Sequence, residues 1–383
     1  MSEENKQKDG EQVVNMANLR GGIEYASQWT LMWRRFRKHK LAMVSMIVVI
    51  LFYMVAIFSE FLAPMDPEAA AARKTQHPPQ LFELHVFDDG KFAPYVPGYT
   101  KKLDMETSKI TFTPDGSKVY LGLFVRGFEY KMFGFDALQS DLHLFGPKDK
   151  DGQVFLFGSD TMGRDVLSRV IYGARFTLSL GLIGVTLSVV LGIILGGLAG
   201  YYGGWTDWVV MRVVEFILSL PSIPIWLAMA AALPKDWPPH YQYMAVTVII
   251  SLIGWTHLAR VIRGRFLSMR SDVFVIAAKL DGCSEPRIIF RHMLPSLASH
   301  IIAQVTLSIP SMVLSETSLS FLGLGLQPPA ISWGVLLKGA QKISVIAQAP
   351  WLFLPGLMVV IAVLALNFFG DGLRDAADPY SNH

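Results

Sequence analysis

Glu316 lies within a run of mostly apolar residues, Leu297 to Leu322, that is long enough to cross a bilayer. A carboxylate at such a depth costs about 2.5–3.5 kcal/mol to insert unless it is paired, hydrogen-bonded or turned towards water. It must face the interior, either along a path for a polar solute or hydrogen-bonded between helices near the outer boundary. Both readings stand. Arg212 and Glu215, in another apolar run, are one helical turn apart and can neutralise each other, so they read first as a structural pair and second as part of a path. No catalytic set accompanies them. The phosphate-cradling G-x-x-x-x-G-K-[ST], the zinc-binding H-E-x-x-H and the nucleophile elbow G-x-S-x-G are all absent. The nine histidines are scattered without metal-ligand spacing, so neither a metal nor a cofactor is expected on this chain. Energy for any work it does has to come from a gradient or from partner subunits.

A different kind of chemistry, docking, is written between Asp272 and Pro295. The stretch reads Phe274-Val-Ile-Ala-Ala-Lys-Leu-Asp-Gly282, then Cys283-Ser-Glu-Pro-Arg-Ile-Ile-Phe-Arg-His-Met-Leu-Pro295. Asp272 to Leu280 can form a short helix that Gly282 ends with a left-handed cap. Ser284 suits an N-cap, Pro286 the first turn of a second short helix, and Pro295 the start of the next span. Ala277 and Ala278 expose little side chain, so another protein can approach closely while the flanking Arg and Lys form salt bridges. An ordinary surface helix is the alternative at this stage.

The elements that must carry these residues are membrane spans. The chain has 383 residues, 52% hydrophobic and 17% charged, with mean hydropathy +0.37, too apolar for a soluble domain of this size. A net charge of +3 gives no support to nucleic-acid binding, and with Cys283 alone no intramolecular disulfide can form. Roughly 20 apolar residues span a bilayer. That condition predicts an all-α membrane protein with six transmembrane helices, at Leu41–Leu62, Phe176–Gly200, Val209–Leu233, Tyr241–Ile262, Leu297–Leu322 and Trp351–Gly370.

Arg34, Arg35, Arg37, Lys38 and Lys40 precede the first span and place the N-terminus in the cytoplasm. An even number of crossings returns the C-terminus there, together with the loop that carries Arg260, Arg263, Arg265, Arg270, Lys279, Arg287 and Arg291. Arg164, Arg169 and Arg175 run against this rule, on the outer side of the second span. The expected division is a cytoplasmic segment 1–40, a first helix 41–63, an extracytoplasmic insertion 64–158, a core 159–375 of five spans with the loop 266–296, and a cytoplasmic tail 376–383. Within the insertion, Lys109 to Arg126 reads as a β-hairpin around Pro114-Asp115-Gly116. Gly192, Gly196 and Gly200 form a small-residue stripe for close helix packing, and Pro221, Pro224 and Pro310 are candidate kinks.

The pattern Ala277-Ala278-x-x-x-Gly282 followed by Leu294-Pro295 resembles the EAA loop of ABC importer permeases. Phe157-Gly-Ser-Asp-Thr-Met-Gly-Arg-Asp-Val-Leu-Ser-Arg-Val-Ile-Tyr-Gly-Ala-Arg175, Ser315-Glu-Thr-Ser-Leu-Ser-Phe-Leu-Gly-Leu-Gly-Leu-Gln-Pro-Pro-Ala-Ile-Ser-Trp-Gly334 and Gly370-Asp-Gly-Leu-Arg-Asp-Ala-Ala-Asp-Pro379 narrow the likeness. Together they resemble the C-type permease of the dipeptide and oligopeptide ABC transporter family.

The resemblance implies a type I ABC importer (MetI-like) permease fold in the bacterial inner membrane. It implies a homologous B-type permease, two ABC ATPases that bind ATP and Mg, and an extracytoplasmic solute-binding protein as partners, with lipid around them. The ATPase would be engaged through Ala277, Ala278, Lys279, Leu280, Asp281, Gly282, Cys283, Leu294 and Pro295. The chain itself would not hydrolyse ATP. Oligopeptide is the first substrate implied, with oligosaccharide, nickel and opine-like solutes as alternatives. Two features depart from the pattern: Ile276 stands where the motif has glutamate, and the insertion is longer than is usual in dipeptide permeases. A gradient-driven secondary transporter is the rival class; it would show repeated or inverted halves, and none is visible. Gly282→Pro is expected to uncouple ATP hydrolysis from transport or detach the ATPases, because proline cannot adopt a positive φ. Normal uptake by that variant would refute the coupling assignment.

Overall fold

The computed structural model describes residues 28–103, 110–149, 152–234 and 236–377. A basic helix α1 (Gln28–Lys38) leads into α2 (Lys40–Ile57), whose first turn is capped by His39 Nδ1 accepting from the Ala42 N–H at 3.0 Å. The insertion then supplies β1 (His85–Asp88), β2 (Lys91–Leu103), β3 (Ile110–Lys131) and β4 (Gln139–Pro147). Next come α3 (Val166–Tyr202), α4 (Gly204–Ser219), α5 (Ser222–Ala231) and α6 (Pro239–Met269). The short α7 (Val273–Leu280) precedes α8 (Ala298–Phe321), α9 (Trp333–Gly339) and α10 (Leu354–Ala377).

Among the described residues, α2, α3, α6, α8 and the segment Pro350–Ala377 are each long and apolar enough to cross a membrane. The expected third span, Val209–Leu233, is not one helix. It breaks into α4 and α5, bent by 89°. Leu220, the residue before Pro221, is forced out of the helical region to ψ 140, and Pro221 has no N–H to continue the ladder. Pro224 falls in the first turn of α5, where a missing N–H costs nothing, and Pro310 stays inside a continuous α8.

The two longest helices, α3 and α6, run side by side and parallel. Ser179 Oγ meets Tyr243 Oη at 3.0 Å, and Ser251 Oγ donates to the Gly184 carbonyl at 3.0 Å. Further along, Gly192 faces Leu258, Gly196 faces Ala259, and Gly200 faces Arg263 and Phe266. The predicted glycine stripe is thus turned to protein. A Cβ on Gly196 would sit 2.4 Å from the Ala259 carbonyl oxygen, so only glycine allows this approach. The helix α10 packs antiparallel to α8, with Gly370 on Thr306 and Val313 among Ala365 and Leu366. It is also antiparallel to α2, with Gly372 on Ala42 and Ala56 among Val359 and Ala362.

The insertion departs from the all-α expectation. It folds as a four-stranded antiparallel sheet in the order β1-β2-β3-β4. The expected hairpin around Pro114-Asp115-Gly116 is a bulge instead, because β3 continues through it and both flanks pair with β2, Tyr99 with Pro114 and Pro97 with Lys118. Gly116 takes the φ of +80 that the bulge needs, and Asp115 Oδ1 accepts from the Ser117 N–H at 2.9 Å. Lys109, at the start of the expected hairpin, lies outside the described residues. The sheet buries Val96 and Leu121 against Val154 and Leu156, with Leu167 of α3 packed alongside. Sheet and α7 occupy opposite ends of the bundle: Phe133 reaches Glu60 near the C-terminal end of α2, whereas Tyr202 at the far end of α3 reaches Glu285 just beyond α7.

Gly196→Val should lower the thermal midpoint of the detergent-solubilised protein, since overpacking of a tight contact costs about 1–3 kcal/mol. Gly264→Ala, where an added Cβ meets nothing within 4 Å, should not lower it, since alanine is the better helix former.

Candidate coupling and translocation surfaces

The helix α7 is built to hold one face and offer the other. Val275 and Ala278 are buried in a cluster with Tyr201, Leu258, Phe266, Ile288 and Met293, which fixes α7 under the ends of α3 and α6. Opposite them, Val273, Ile276, Ala277 and Leu280 follow i, i+3, i+4, i+7 spacing and all are exposed; Val273 and Leu280 are each 83% and Ile276 is 45% exposed. Such an apolar stripe outside the membrane end of a bundle has no reason to face water. Ala277 and Ala278 therefore have different jobs, one outward and one inward, whereas the sequence suggested both for close approach by a partner.

Gly282 has φ +72 and closes the helix as predicted. Its N–H donates to the Lys279 carbonyl at 3.1 Å and the Cys283 N–H to the Ala278 carbonyl at 3.0 Å, the paired bonds of a Schellman cap. Lys279 Nζ lies 5.4 Å from the Tyr201 ring centre, and Asp281 is exposed. Beyond the cap, a short helical turn at Glu285–Arg287 leads into a π-helical segment, Ile288–Met293. Leu294, half-buried, and the exposed Pro295 do not begin α8. They form a separate turn, Leu294–Ser296, and the chain breaks at Leu297 before α8 starts at Ala298. The wide turn sits just ahead of Pro295, where a regular ladder would need the N–H that proline lacks.

Glu316 is fully buried and accepts hydrogen bonds from Ser320 Oγ at 2.9 Å and Ser332 Oγ at 2.8 Å. Of the two readings, the geometry matches a carboxylate that joins α8 to the N-cap of α9. Arg212 and Glu215 pair at 2.9 Å as expected, on the exposed face of α4 with the Arg212 guanidinium 5.6 Å from the Trp208 ring centre. The polar face of α8 lies elsewhere, in residues that no motif marks. His300, Gln304, Ser308, Ser311, Ser315 and Ser318 recur every three or four residues, with His300, Ser311 and Ser318 exposed and the rest half-buried. Gln304 Nε2 is 3.5 Å from His257 Nδ1 of α6. The exposed face of α2 instead presents Leu41, Val44, Ile47, Ile50, Leu51 and Met54. One face suits acyl chains and the other suits water.

The arginines that ran against the charge rule are accounted for in part by pairing. Arg175 makes a two-pronged ion pair with Glu60, donates from Nε to the Ala56 carbonyl at 2.9 Å and stacks 4.7 Å from the Phe133 ring centre. This node ties α2, α3 and the insertion together. Burial alone would raise the Glu60 carboxyl, but the hydrogen bonds and charge of Arg175 outweigh it and leave it below the usual carboxylate range. A second two-pronged pair, Arg263 on Asp207 at 2.5 and 2.6 Å, ties α6 to the start of α4.

Comparison with known proteins fits this architecture. The family model described as the binding-protein-dependent transport system inner membrane component matches residues 188–381. The chain belongs to this family. A second model, the N-terminal TM domain of oligopeptide transport permease C, matches residues 27–82, so this family member is of the dipeptide and oligopeptide C-type. A putative peptide permease protein of Brucella ovis is 38% identical over 63% of this chain and 78% of its own length. The dipeptide transport system permease protein DppC of Alkalihalophilus pseudofirmus is 39% identical over 58% of this chain and 71% of its own. The glutathione transport system permease protein GsiD of Shigella boydii is 31% identical over 96% and 95% respectively.

In this family member Arg175→Ala should destabilise the fold by about 3–5 kcal/mol at neutral pH, because Glu60 is left charged and buried. The contribution of the pair is complete above the ordinary glutamate pKa and is lost as pH falls through the depressed value of Glu60. Unfolding followed at pH 7 and at pH 3 should therefore show a smaller gap between variant and wild type at the lower pH.

Proposed function

We propose that the chain is one permease subunit of an ATP-driven importer, moving a peptide handed over by an extracytoplasmic binding protein. The observation that carries this is the exposed apolar stripe of α7, braced from behind by Val275 and Ala278. Its occupant is an ATPase subunit that binds ATP and Mg. Force applied to Ile276, Ala277 and Leu280 passes through the buried cluster to Tyr201 of α3 and Phe266 of α6. Because those helices touch backbone to backbone along the glycine stripe, they move as one body. A homologous permease completes the pore, with the polar stripe of α8 along the path. Ile276, in place of the motif glutamate, makes the docking surface more apolar and leaves the inward brace unaltered.

Six crossings follow in this reading from parallel packing. If α3 and α6 both descend, the chain between them has to return, and α4 and α5 carry it back as a broken span. The cations around α7 support a cytoplasmic setting for that end, and with it this reading has both termini in the cytoplasm and the β-sheet insertion on the far side, where it meets the binding protein. Peptide is the substrate class supported by the relatives' names, and oligopeptide suits an insertion larger than that of dipeptide permeases.

The test is to tag the chain, extract it in mild detergent and identify what co-purifies. Wild type should retain a second permease and ATPase subunits, and Leu280→Asp should retain the permease while losing at least about tenfold of the ATPase, the effect of some 1.4 kcal/mol at an interface. Recovery of the chain alone, stable and monodisperse, would overturn the importer reading.

A further inference from the structure

On α1, Trp29, Met32, Trp33 and Phe36 follow i, i+3, i+4, i+7 spacing, which puts all four on one face of the helix. The bundle covers only one end of that face. Phe36, 1% exposed, packs edge-on against Phe369 of α10 with ring centres 5.8 Å apart, and Trp33 stacks on it at 5.9 Å. Exposure then climbs towards the N-terminus, to 49% at Trp33 and 66% at Trp29. The same contacts fix the depth of α1, because Phe369 lies about two turns inside the end of α10 and Phe36 Cε2 stands beside Gly372, which faces Ala42 in the first turn of α2. The helix is therefore level with the ends of two membrane-crossing helices. His39, extended at ψ 92, breaks it from α2, whose Leu41 and Val44 already belong to the face that suits acyl chains.

The other side of α1 is cationic. Arg34 and Lys38 are one turn apart there with Arg37 on the flank; all three are exposed, and none is in an ion pair among the described residues. No carboxylate occurs in α1, and the end of α10 packed against it has Asp371 and Asp375 with Arg374 between them, so positive charge stays in excess. Open indoles on one face and cations on the other, at the level where spans end, are the pattern of a helix lying in the headgroup layer of a bilayer. Water alone would satisfy the cations but not the indoles.

We propose that α1 lies along an acidic phospholipid surface, with Trp29 and Trp33 sunk to the acyl boundary and Arg34, Arg37 and Lys38 held by lipid phosphates. Phe36 pins one end of the helix to the bundle, and lipid holds the other. This surface needs no ATPase and no cargo, so it stands apart from the importer reading.

The test places the full chain, with whatever partners it keeps, in nanodiscs of phosphatidylcholine alone or mixed with phosphatidylglycerol, and follows amide hydrogen exchange across residues 28–38. Phosphatidylglycerol should slow exchange there at least about fivefold, the effect of a single basic residue at an anionic surface, and high salt should reverse the gain. Arg34→Gln combined with Lys38→Gln should remove most of that gain while leaving exchange in phosphatidylcholine unchanged, since glutamine forms helix about as well as arginine or lysine. Trp29→Ala combined with Trp33→Ala should speed exchange in both lipids, although alanine is the better helix former. Equal exchange in the two lipids, or a gain from phosphatidylglycerol that survives loss of both cations, would overturn the proposal. So would protection that is complete in phosphatidylcholine and lost when partner subunits are stripped away, which would give the open face to protein instead of lipid.

Discussion

The approach of α3 to α6 sets the limits within which the rest of the molecule is arranged. At Gly196 and Gly200 the two backbones come so close that a methyl group has no room, with 2.4 Å to the Ala259 carbonyl oxygen and 2.6 Å to Phe266 Cβ. Inside a bilayer there is no hydrophobic drive to bring helices together, so close packing between small residues has to do that work. Two long helices locked in parallel create a topological demand. The chain leaving Tyr202 has to return to the other end before Pro239, and the break at Pro221 lets α4 and α5 do this while bending by 89°. The same lock places Tyr201 and Phe266 side by side at the lower end, and that pair is the floor on which α7 rests.

Polar groups within the bundle follow a single rule, that each is satisfied by protein or turned to water. Glu316 is held by Ser320 and Ser332, and so spends its charge or proton on fixing α9 beneath the insertion. The Trp333 indole next to it donates to the Val170 carbonyl at 2.9 Å, and its backbone N–H donates to Thr177 Oγ1 at 3.1 Å, joining the same point to α3. On α8 the serines mostly bond back to their own helix, as Ser308 does to Gln304 and Ser315 to Ser311, which makes them tolerable almost anywhere. His300 and Gln304 have larger polar heads, and they are what distinguish that face from the hydrocarbon surface of α2.

The sequence was most legible where a signal acts on its own neighbours. Gly282 was readable as a cap because the Schellman bonds span only six residues, and the glycine stripe was readable because one helix face repeats. Pro114-Asp115-Gly116 shows the limit: its turn chemistry is real, but whether a turn reverses a strand or bulges it depends on which partner the flanks find, and both found β2. Pro221 was read as a kink in one span for the same reason, since the size of a bend is set by tertiary packing. The Glu60–Arg175 pair joins residues 115 apart, and nothing local marks either as the other's partner. The α8 stripe is legible at its three- and four-residue spacing, but hydroxyls in an apolar run are a weaker signal than Glu316, because a carboxylate is the costlier group. The cost explains why it is buried and bonded rather than turned to water.

The Ala277-Ala278 pair shows how two constraints share one short motif. A helix of eight residues has little stability of its own, so α7 exists because Val275 and Ala278 are buried on Tyr201 and Phe266. A larger residue at Ala278 would lift the helix off that floor, whereas Ala277 faces outward and, in the proposed reading, a larger residue there would lift the partner off the helix. Ile276 lies on the outer side only. In the proposed reading, exchange of an acid for isoleucine there changes what the partner surface must present, an apolar patch in place of a cation, without altering how α7 is seated. In the proposed reading, partner choice and force transmission are therefore separable: the outward residues select the ATPase, and the inward ones fix how its movement reaches α3 and α6.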